Sequence, residues 1–187
     1  MIDVNELRKG VTFEVDDQIF RVLEYTHNKP GRGNATIRCK LRNLKTGATI
    51  ERTFQSGDRM QDIRLDHHQV QYLYQDGDSL VCMDNQTYEQ IYLDKVLLGD
   101  SVNYIKEGVT LLIAFENGTQ PITAEAPAHV VVNVTYTEPG VQGDTATHTL
   151  KAATIETGAE IRVPLFVNTG DNIKIKTASG EYVERVK

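Results

Sequence analysis

The stretch TIRCKLRN, residues 36–43, alternates strictly: Ile37, Cys39 and Leu41 are apolar, while Arg38, Lys40 and Arg42 are cationic. Successive side chains of a β-strand point to opposite faces, so a period of two makes this a half-buried strand with an apolar inner face and a basic outer face. The same reading extends outward. IFRVLEY (19–25) before it and TIERTF (49–54) after it read as strands, as do QVQYLY (69–74), SLVCMD (79–84), EQIYL (89–93), TLLIAF (110–115), HVVVNVTY (129–136) and NIKIK (172–176). Turn signals such as Asp76-Gly77, Asn117-Gly118 and Pro139-Gly140 separate them. One short helix is predicted within LDKVLLGDSVNYIKEG (93–108), with Asp94 or Asp100 as N-cap and Gly108 as its stop. Many short strands with little helix predict an all-β chain of barrels or sandwiches.

With 187 residues, 40% of them hydrophobic and 25% charged, the chain can bury one large core or two to three small ones. The polar stretch QSGDRMQDIRLDHHQ (55–69) reads as a linker closing a first domain. ENGTQPITAEAPAHV (116–130), with Asn-Gly and two prolines, reads as a second junction. The expected domains are 1–64, 65–128 and 129–187. The N-terminal MIDVNELRKG has no apolar core of a signal peptide, and no run is long enough to span a bilayer, so a cytoplasmic protein without membrane contact is expected. Cys39 and Cys82 each stand alone within strand patterns, as reduced core thiols do. Four Asn-x-Thr triplets, at Asn34, Asn85, Asn117 and Asn133, carry no glycosylation signal without a secretory leader.

The net charge of −6 hides a split. Residues 1–64 hold twelve Lys and Arg against nine Asp and Glu, a net +3, and the remainder holds eight against seventeen, a net −9. No acid occurs between Tyr25 and Ile50, where Lys29, Arg32, Arg38, Lys40, Arg42 and Lys45 supply six cations. Such a patch fits the phosphate backbone of a nucleic acid or, equally, a solvated strand face. Catalytic motifs are missing: there is no Gly-x-Ser-x-Gly, no Walker-type Gly-Lys-Ser/Thr, no His-Glu-x-x-His and no Cys-x-x-Cys. No cofactor and no metal is expected. His67-His68 point to opposite faces if they lie on a strand, which disfavours shared metal ligation over a polar linker role. Tyr72, Tyr74, Tyr88 and Tyr92 fit core or cross-strand positions better than a base-stacking platform. Between the two strands ending near Tyr25 and Thr36, Lys29, Pro30, Gly31, Arg32, Gly33 and Asn34 form a small stiff loop. Pro30 fixes φ there, and Gly31, Gly33 and Asn34 tolerate positive φ. Arg32 projects a planar, permanent cation from its tip. The loop resembles a phosphate cradle weakly, because it leads into a strand and not into a helix.

These stretches, in their order and spacing, resemble the bacterial elongation factor P family over essentially the whole chain. The resemblance is carried by LRKG (7–10), KPGRG (29–33), LKTGATIERTFQSGD (44–58), QYLYQDGD (71–78), MDNQTYEQI (83–91) and, above all, KAATIETGAEIRVPLFVNTGDNIKIKTASGEYVERVK (151–187). In the last block Lys151, Ala153, Gly158, Ile161, Val163, Pro164, Val167 and Gly170 match the family's C-terminal signature. The resemblance implies an SH3-like, KOW-type N-terminal barrel followed by two OB-fold barrels in a tRNA-like overall shape. It implies a monomeric factor, not an enzyme, that contacts both ribosomal subunits, ribosomal RNA and the peptidyl-site tRNA. In this family the factor sits between the peptidyl-tRNA and exit sites and relieves stalling at consecutive prolines.

By the same resemblance Arg32 matches the modified tip that reaches the CCA end of the tRNA. Arginine excludes the family's lysine chemistries, and three states stay open: rhamnose, added by a glycosyltransferase, another modification, or an unmodified side chain. Gly143, Asp144 and Thr145 match the loop near the exit-site codon, and Tyr182 and Arg185 match C-terminal ribosome contacts. Arg38, Lys40 and Arg42 are the expected RNA-backbone contacts. The chain departs from the family pattern at ENGTQPIT, with an extra residue, and at THTLKAAT, which lacks the usual glycines and proline. Two other readings compete: a stand-alone RNA-binding module without ribosome specificity, and a small-substrate enzyme resting on the weak cradle alone.

Overall fold

The computed structural model describes residues 1–31, 33–140 and 149–187. These fall into two compact units, residues 1–67 with 114–123, and residues 68–113 with 124–187.

In the first unit β1 (Ile2–Asp3), β2 (Thr12–Val15), β3 (Gln18–Asn28), β4 (Thr36–Asn43), β5 (Thr49–Gln55) and β6 (Arg59–Asp62) form one sheet in the order β1-β6-β2-β3-β4-β5. β4 matches the predicted strand residue for residue. Ile37, Cys39 and Leu41 are fully buried and Arg38 and Arg42 are exposed. The core gathers these with Leu7, Phe13, Phe20 and Phe54, and the ring of Phe13 meets that of Phe54 edge-on at 6.0 Å. A bulge in β3 between Val22 and Glu24 increases the local twist, which helps the sheet curl round this core. The stretch 55–69, expected to be a linker, instead holds β6 and the start of β7 (Leu65–Asp76). Of its three apolar side chains Met60 and Ile63 are buried and Leu65 is half-buried, and Ile63 clusters with Ile19 and Ile122. That cluster draws residues 114–123 into this unit.

The second sheet joins β7, β8 (Ser79–Asp84), β9 (Gln90–Asp94), β10 (Thr110–Glu116) and β11 (Gln120–Glu125) in the order β11-β10-β7-β8-β9. β11 lies inside the stretch expected to be a domain junction. Asn117 and Gly118 both take positive φ, at 52° and 73°, as the tight β10–β11 hairpin demands. The predicted helix is a 3₁₀ segment, Lys95–Asn103. Asp94 caps it as expected, its side chain accepting from the Val96 N–H, but Gly99 (φ 57°, ψ −137°) breaks it in the middle. The helical stop is therefore Tyr104, four residues before Gly108.

The third sheet contains β12 (His129–Thr137), β13 (Leu150–Ile155), β14 (Glu160–Pro164), β15 (Asn172–Lys176) and β16 (Tyr182–Val186), in the order β14-β13-β12-β15-β16. β12 serves two neighbours in succession. His129–Asn133 pairs with β15, Val134–Thr137 pairs with β13, and a bulge between Val134 and Tyr136 bends the strand at the change of partner. Val132, Val134, Ile155, Val163, Ile173 and Ile175 fill the interior.

One turn recurs three times. After β4, the Asn43 N–H donates to the Ala48 carbonyl and the Gly47 N–H to the Asn43 carbonyl. After β8 the same two bonds link Asp84 with Glu89 and Tyr88 with Asp84, and after β15 they link Lys176 with Glu181 and Gly180 with Lys176. The fifth residue of each turn is left-handed: Gly47 at φ 74°, Tyr88 at 60° and Gly180 at 72°. The first two turns share a further device. The side-chain oxygen of Asn43 accepts from the Lys45 and Thr46 N–H groups, and that of Asp84 from Gln86 and Thr87. A short Asx side chain thus satisfies backbone donors that the turn leaves unpaired.

Candidate nucleic-acid interface

β3 and β4 pair from Phe20–Asn43 out to Asn28–Thr36, so the ladder runs to the base of the loop. In the loop Lys29, Pro30, Gly31, Gly33 and Asn34 are exposed, while Arg32 lies outside the described residues. Of the three residues expected to tolerate positive φ, only Gly33 adopts it, at 123°. A Cβ there would meet Pro30 Cγ at an ordinary 3.9 Å, so glycine is required for its backbone angle and not for space. At the arm's inner face the Arg8 guanidinium lies 5.5 Å over the Tyr25 ring, which meets His27 edge-on at 5.7 Å.

Arg38, Lys40 and Arg42 share the outer face, as the alternation predicts. Their electrostatics differ from the sequence expectation. Arg38 is paired with Glu51, and Lys40 lies 3.6 Å from Glu24. The acid-free run from residue 25 to 50 is thus met in space by the two acids that border it, Glu24 and Glu51. These exposed pairs each contribute at most about 1 kcal/mol, yet they locally cancel two of the three cations. Arg52, on β5, is likewise paired, with Asp16 at 2.7 Å. Arg42 has no such partner among the described residues.

Gly143, Asp144 and Thr145 lie outside the described residues. Tyr182 and Arg185 are close together, joined by Phe166, which the sequence reading did not single out. The Arg185 guanidinium lies 5.5 Å over the Phe166 ring, Phe166 meets Tyr182 edge-on at 6.3 Å, and Arg185 Nη1 donates to Asp171 Oδ2 at 3.5 Å. Phe166 is 57% exposed, a large apolar ring left on the surface. Burial raises the Tyr182 pKa, partly opposed by the nearby Arg185 charge. The only sequence signal for Phe166 was its place within the C-terminal signature, VPLFV.

Of the four tyrosines weighed for stacking, Tyr72 is buried, whereas Tyr74, Tyr88 and Tyr92 are exposed. Tyr74 and Tyr92 pair with Val81 from either side across three strands, cross-strand positions on either side of a fully buried residue. His68 is not a linker residue: it lies on β7, and its Nδ1 is 2.6 Å from Asp84 Oδ2. Among the described residues no three His, Cys, Asp or Glu side chains are placed to hold a metal. Cys39 and Cys82 are free and buried, and burial pushes the Cys82 thiol up to about 11. No described helix is long and apolar enough to cross a membrane.

Three family models match the chain in series: a KOW-like domain of elongation factor P over residues 3–60, its OB domain over 65–123 and its C-terminal domain over 130–185. The chain is 48% identical over 185 residues to the elongation factor P of Desulfitobacterium hafniense (strain DSM 10664 / DCB-2), covering 99% of this chain and 100% of that protein. It is also 48% identical over 186 residues to the elongation factor P of Clostridium botulinum (strain Eklund 17B / Type B), covering 100% of both. Among solved structures, the eukaryotic translation initiation factor 5A from Methanococcus jannaschii aligns with a TM-score of 0.55 at 20% identity. It covers 67% of this chain and 91% of that one, a likeness of fold. Three consecutive domain matches and full-length identity of this order place the chain in the elongation factor P family, and it is accordingly a translation elongation factor and not an enzyme.

Proposed function

We propose that this protein binds the ribosome between the peptidyl-tRNA and exit sites and stimulates peptide-bond formation, relieving stalling at consecutive prolines. The observation that carries this reading is the β3–β4 arm: an antiparallel ladder, bulged between Val22 and Glu24, that leads into a loop whose described residues, 29–31, 33 and 34, are exposed. A slim hairpin can enter a crowded RNA cavity, and Arg32 is the residue proposed to meet the CCA end of the tRNA. Proline restricts the backbone and the approach of the nucleophile, so holding the tRNA and nascent chain in reactive geometry lowers the entropic part of the barrier. The peptidyl-transfer chemistry stays with ribosomal RNA. Domains at 1–64, 65–128 and 129–187 serve this placement, the third bringing Gly143, Asp144 and Thr145 near the exit-site codon and Tyr182 and Arg185 to the ribosome.

The test is translation of a message with a run of prolines in a purified system with and without the protein. Position-specific ribosome stalling should fall when the factor is present and should be unchanged on a proline-free control. Equal rates with and without the factor on both messages overturn the proposal. Intact mass of the protein from its own host decides whether Arg32 carries a sugar.

A further inference from the structure

On the face of the first sheet opposite Phe13, Phe20 and Leu41 the strand registers align one uninterrupted row: buried Thr12 on β2, half-buried Arg21 on β3, and exposed Arg42 on β4 and Thr49 on β5. All four are hydrogen-bond donors and none is an acid. Directly opposed residues hold their Cβ atoms about 4.5–5.5 Å apart, and like charges so placed destabilise a sheet. The next row along the same face has the opposite design, with Glu24 and Glu51 on either side of Lys40. The fold therefore neutralises Lys40, and also Arg38 and Arg52, while among the described residues Arg21 and Arg42 form no ion pair or side-chain hydrogen bond. Asp62 and Asp66 border a recess shared with Arg21. Asp62, however, is on β6, separated from β3 by β2, whereas Arg42 is on the far side of β3. The Arg42 side of Arg21 is clear of these carboxylates.

We infer that Arg21 and Arg42 form a phosphate clamp for an RNA backbone, with the two guanidinium forks closing on one phosphodiester group. Two opposed forks supply up to four parallel N–H donors to the oxygens of one phosphate, and the bound anion removes the repulsion between them. Thr12 and Thr49 flank the pair with uncharged groups, so nothing in the row competes for the arginines. The clamp deepens the proposed function: it predicts that the RNA grip of this face comes from Arg21 and Arg42, with Arg38 and Lys40 contributing little because each must first leave its own carboxylate.

The experiment compares the full-length protein with the double variants Arg21→Gln/Arg42→Gln and Arg38→Gln/Lys40→Gln. Binding is measured across a salt series to ribosomes carrying peptidyl-tRNA and to a synthetic RNA hairpin, with thermal melting alongside. Loss of Arg21 and Arg42 should flatten the salt slope by about one to two units, while the melting temperature stays level or rises as the repulsion disappears. The Arg38/Lys40 variant should keep most of the slope. A flattened slope only in the Arg38/Lys40 variant, or no change in either, overturns the clamp. If the wild type ignores ribosomes yet binds the hairpin through Arg21 and Arg42, the ribosomal reading fails and the clamp stands. Inorganic phosphate alone is the remaining control: a melting shift as large as that with the hairpin would make the pair a free-anion site and overturn the RNA assignment.

Discussion

His68 Nδ1 on β7 lies 2.6 Å from Asp84 Oδ2 at the end of β8, and the other oxygen of the same carboxylate accepts the N–H groups of Gln86 and Thr87. One nearly buried carboxylate thus closes the β8–β9 turn and ties it to the neighbouring strand. Burial alone would raise its pKa, but the two backbone donors and His68 outweigh that and hold it below the ordinary carboxylate value. A group whose pKa is depressed by folding adds stability above its unfolded pKa of about 3.9, and that stability is lost as pH falls through the lower folded value. Chemical denaturation from pH 7 down to pH 3 should show this loss in the wild type. Asp84→Ala should cost about 1–3 kcal/mol at pH 7, because two turn N–H groups lose their acceptor. Asp84→Asn should cost less and should flatten the acid slope, since Asn43 already performs the same capping in the turn after β4. Equal losses for the two variants would show that the cap is not what Asp84 contributes.

Tyr88 takes φ 60° where the matching turns use Gly47 and Gly180. A left-handed residue with a Cβ carries about 1–2 kcal/mol of strain, partly offset because glycine costs more entropy to order. Tyr88→Gly is expected to be neutral or to stabilise by up to about 1 kcal/mol in a denaturant midpoint measurement. The reverse substitutions should rank. Gly47→Ala meets nothing within 4 Å and should incur only the backbone strain, whereas a Cβ on Gly180 would lie 2.5 Å from Tyr104 Cε1. Gly180→Ala should therefore lower stability by at least about 1 kcal/mol more than Gly47→Ala. The opposite order would mean that the Tyr104 ring moves aside freely.

Side-chain alternation made the half-buried strands legible. TIRCKLRN and NIKIK coincide with β4 and β15 because each carries enough alternate apolar residues to declare its inner face, whereas SLVCMD coincides with β8 as a continuous apolar run in which Leu80, Val81 and Cys82 are all buried. β1, β2 and β6 are only two to four residues long and show too little of a period, and β6 hides in a polar stretch where Met60 alone points inward. β11 is masked by Pro121 and small residues, although Ile122 and Ala124 fill the inner positions. The helix is interrupted at Gly99, the glycine that weakens a continuous helix in the sequence, and its φ of 57° divides two 3₁₀ turns that end at Tyr104, short of Gly108. Within the candidate interface, the basic face of β4 was readable but its neutralisation was not. Glu24 and Glu51 approach through strand register, a property of the pairing and not of local spacing. The same holds for the Arg21–Arg42 opposition and for Phe166 between Tyr182 and Arg185.

Because Glu24 and Glu51 locally neutralise Lys40 and Arg38, removing them should expose those cations. Glu24→Gln/Glu51→Gln is expected to steepen the salt dependence of RNA binding by up to about two units and to raise non-specific affinity at low salt. Stability should change by less than about 1 kcal/mol, since both pairs are exposed. Translation assays at fixed salt would then reveal whether the two acids restrain indiscriminate binding: stalled ribosomes should be rescued less well when competitor RNA is added. An unaltered salt slope would mean that Arg38 and Lys40 do not face bound RNA at all.

Arg32 carries the sharpest prediction of the proposed function, because in the sequence it falls between Gly31 and Gly33, both exposed where the β3–β4 ladder ends. A residue so placed on a short loop should contribute little to folding, so Arg32→Ala should leave the melting temperature nearly unchanged. On the proposed function it should nonetheless abolish most of the acceleration on a polyproline message. Arg32→Lys separates charge from shape: it keeps the cation but loses the planar fork of donors and any sugar carried on arginine. If fork or sugar matters, the lysine variant should fail almost as badly as alanine when both are compared with factor purified from its own host. Full activity of the lysine variant would reduce Arg32 to a simple positive charge. A large fall in melting temperature for Arg32→Ala would instead give the residue a structural role and remove it from the tRNA-facing tip.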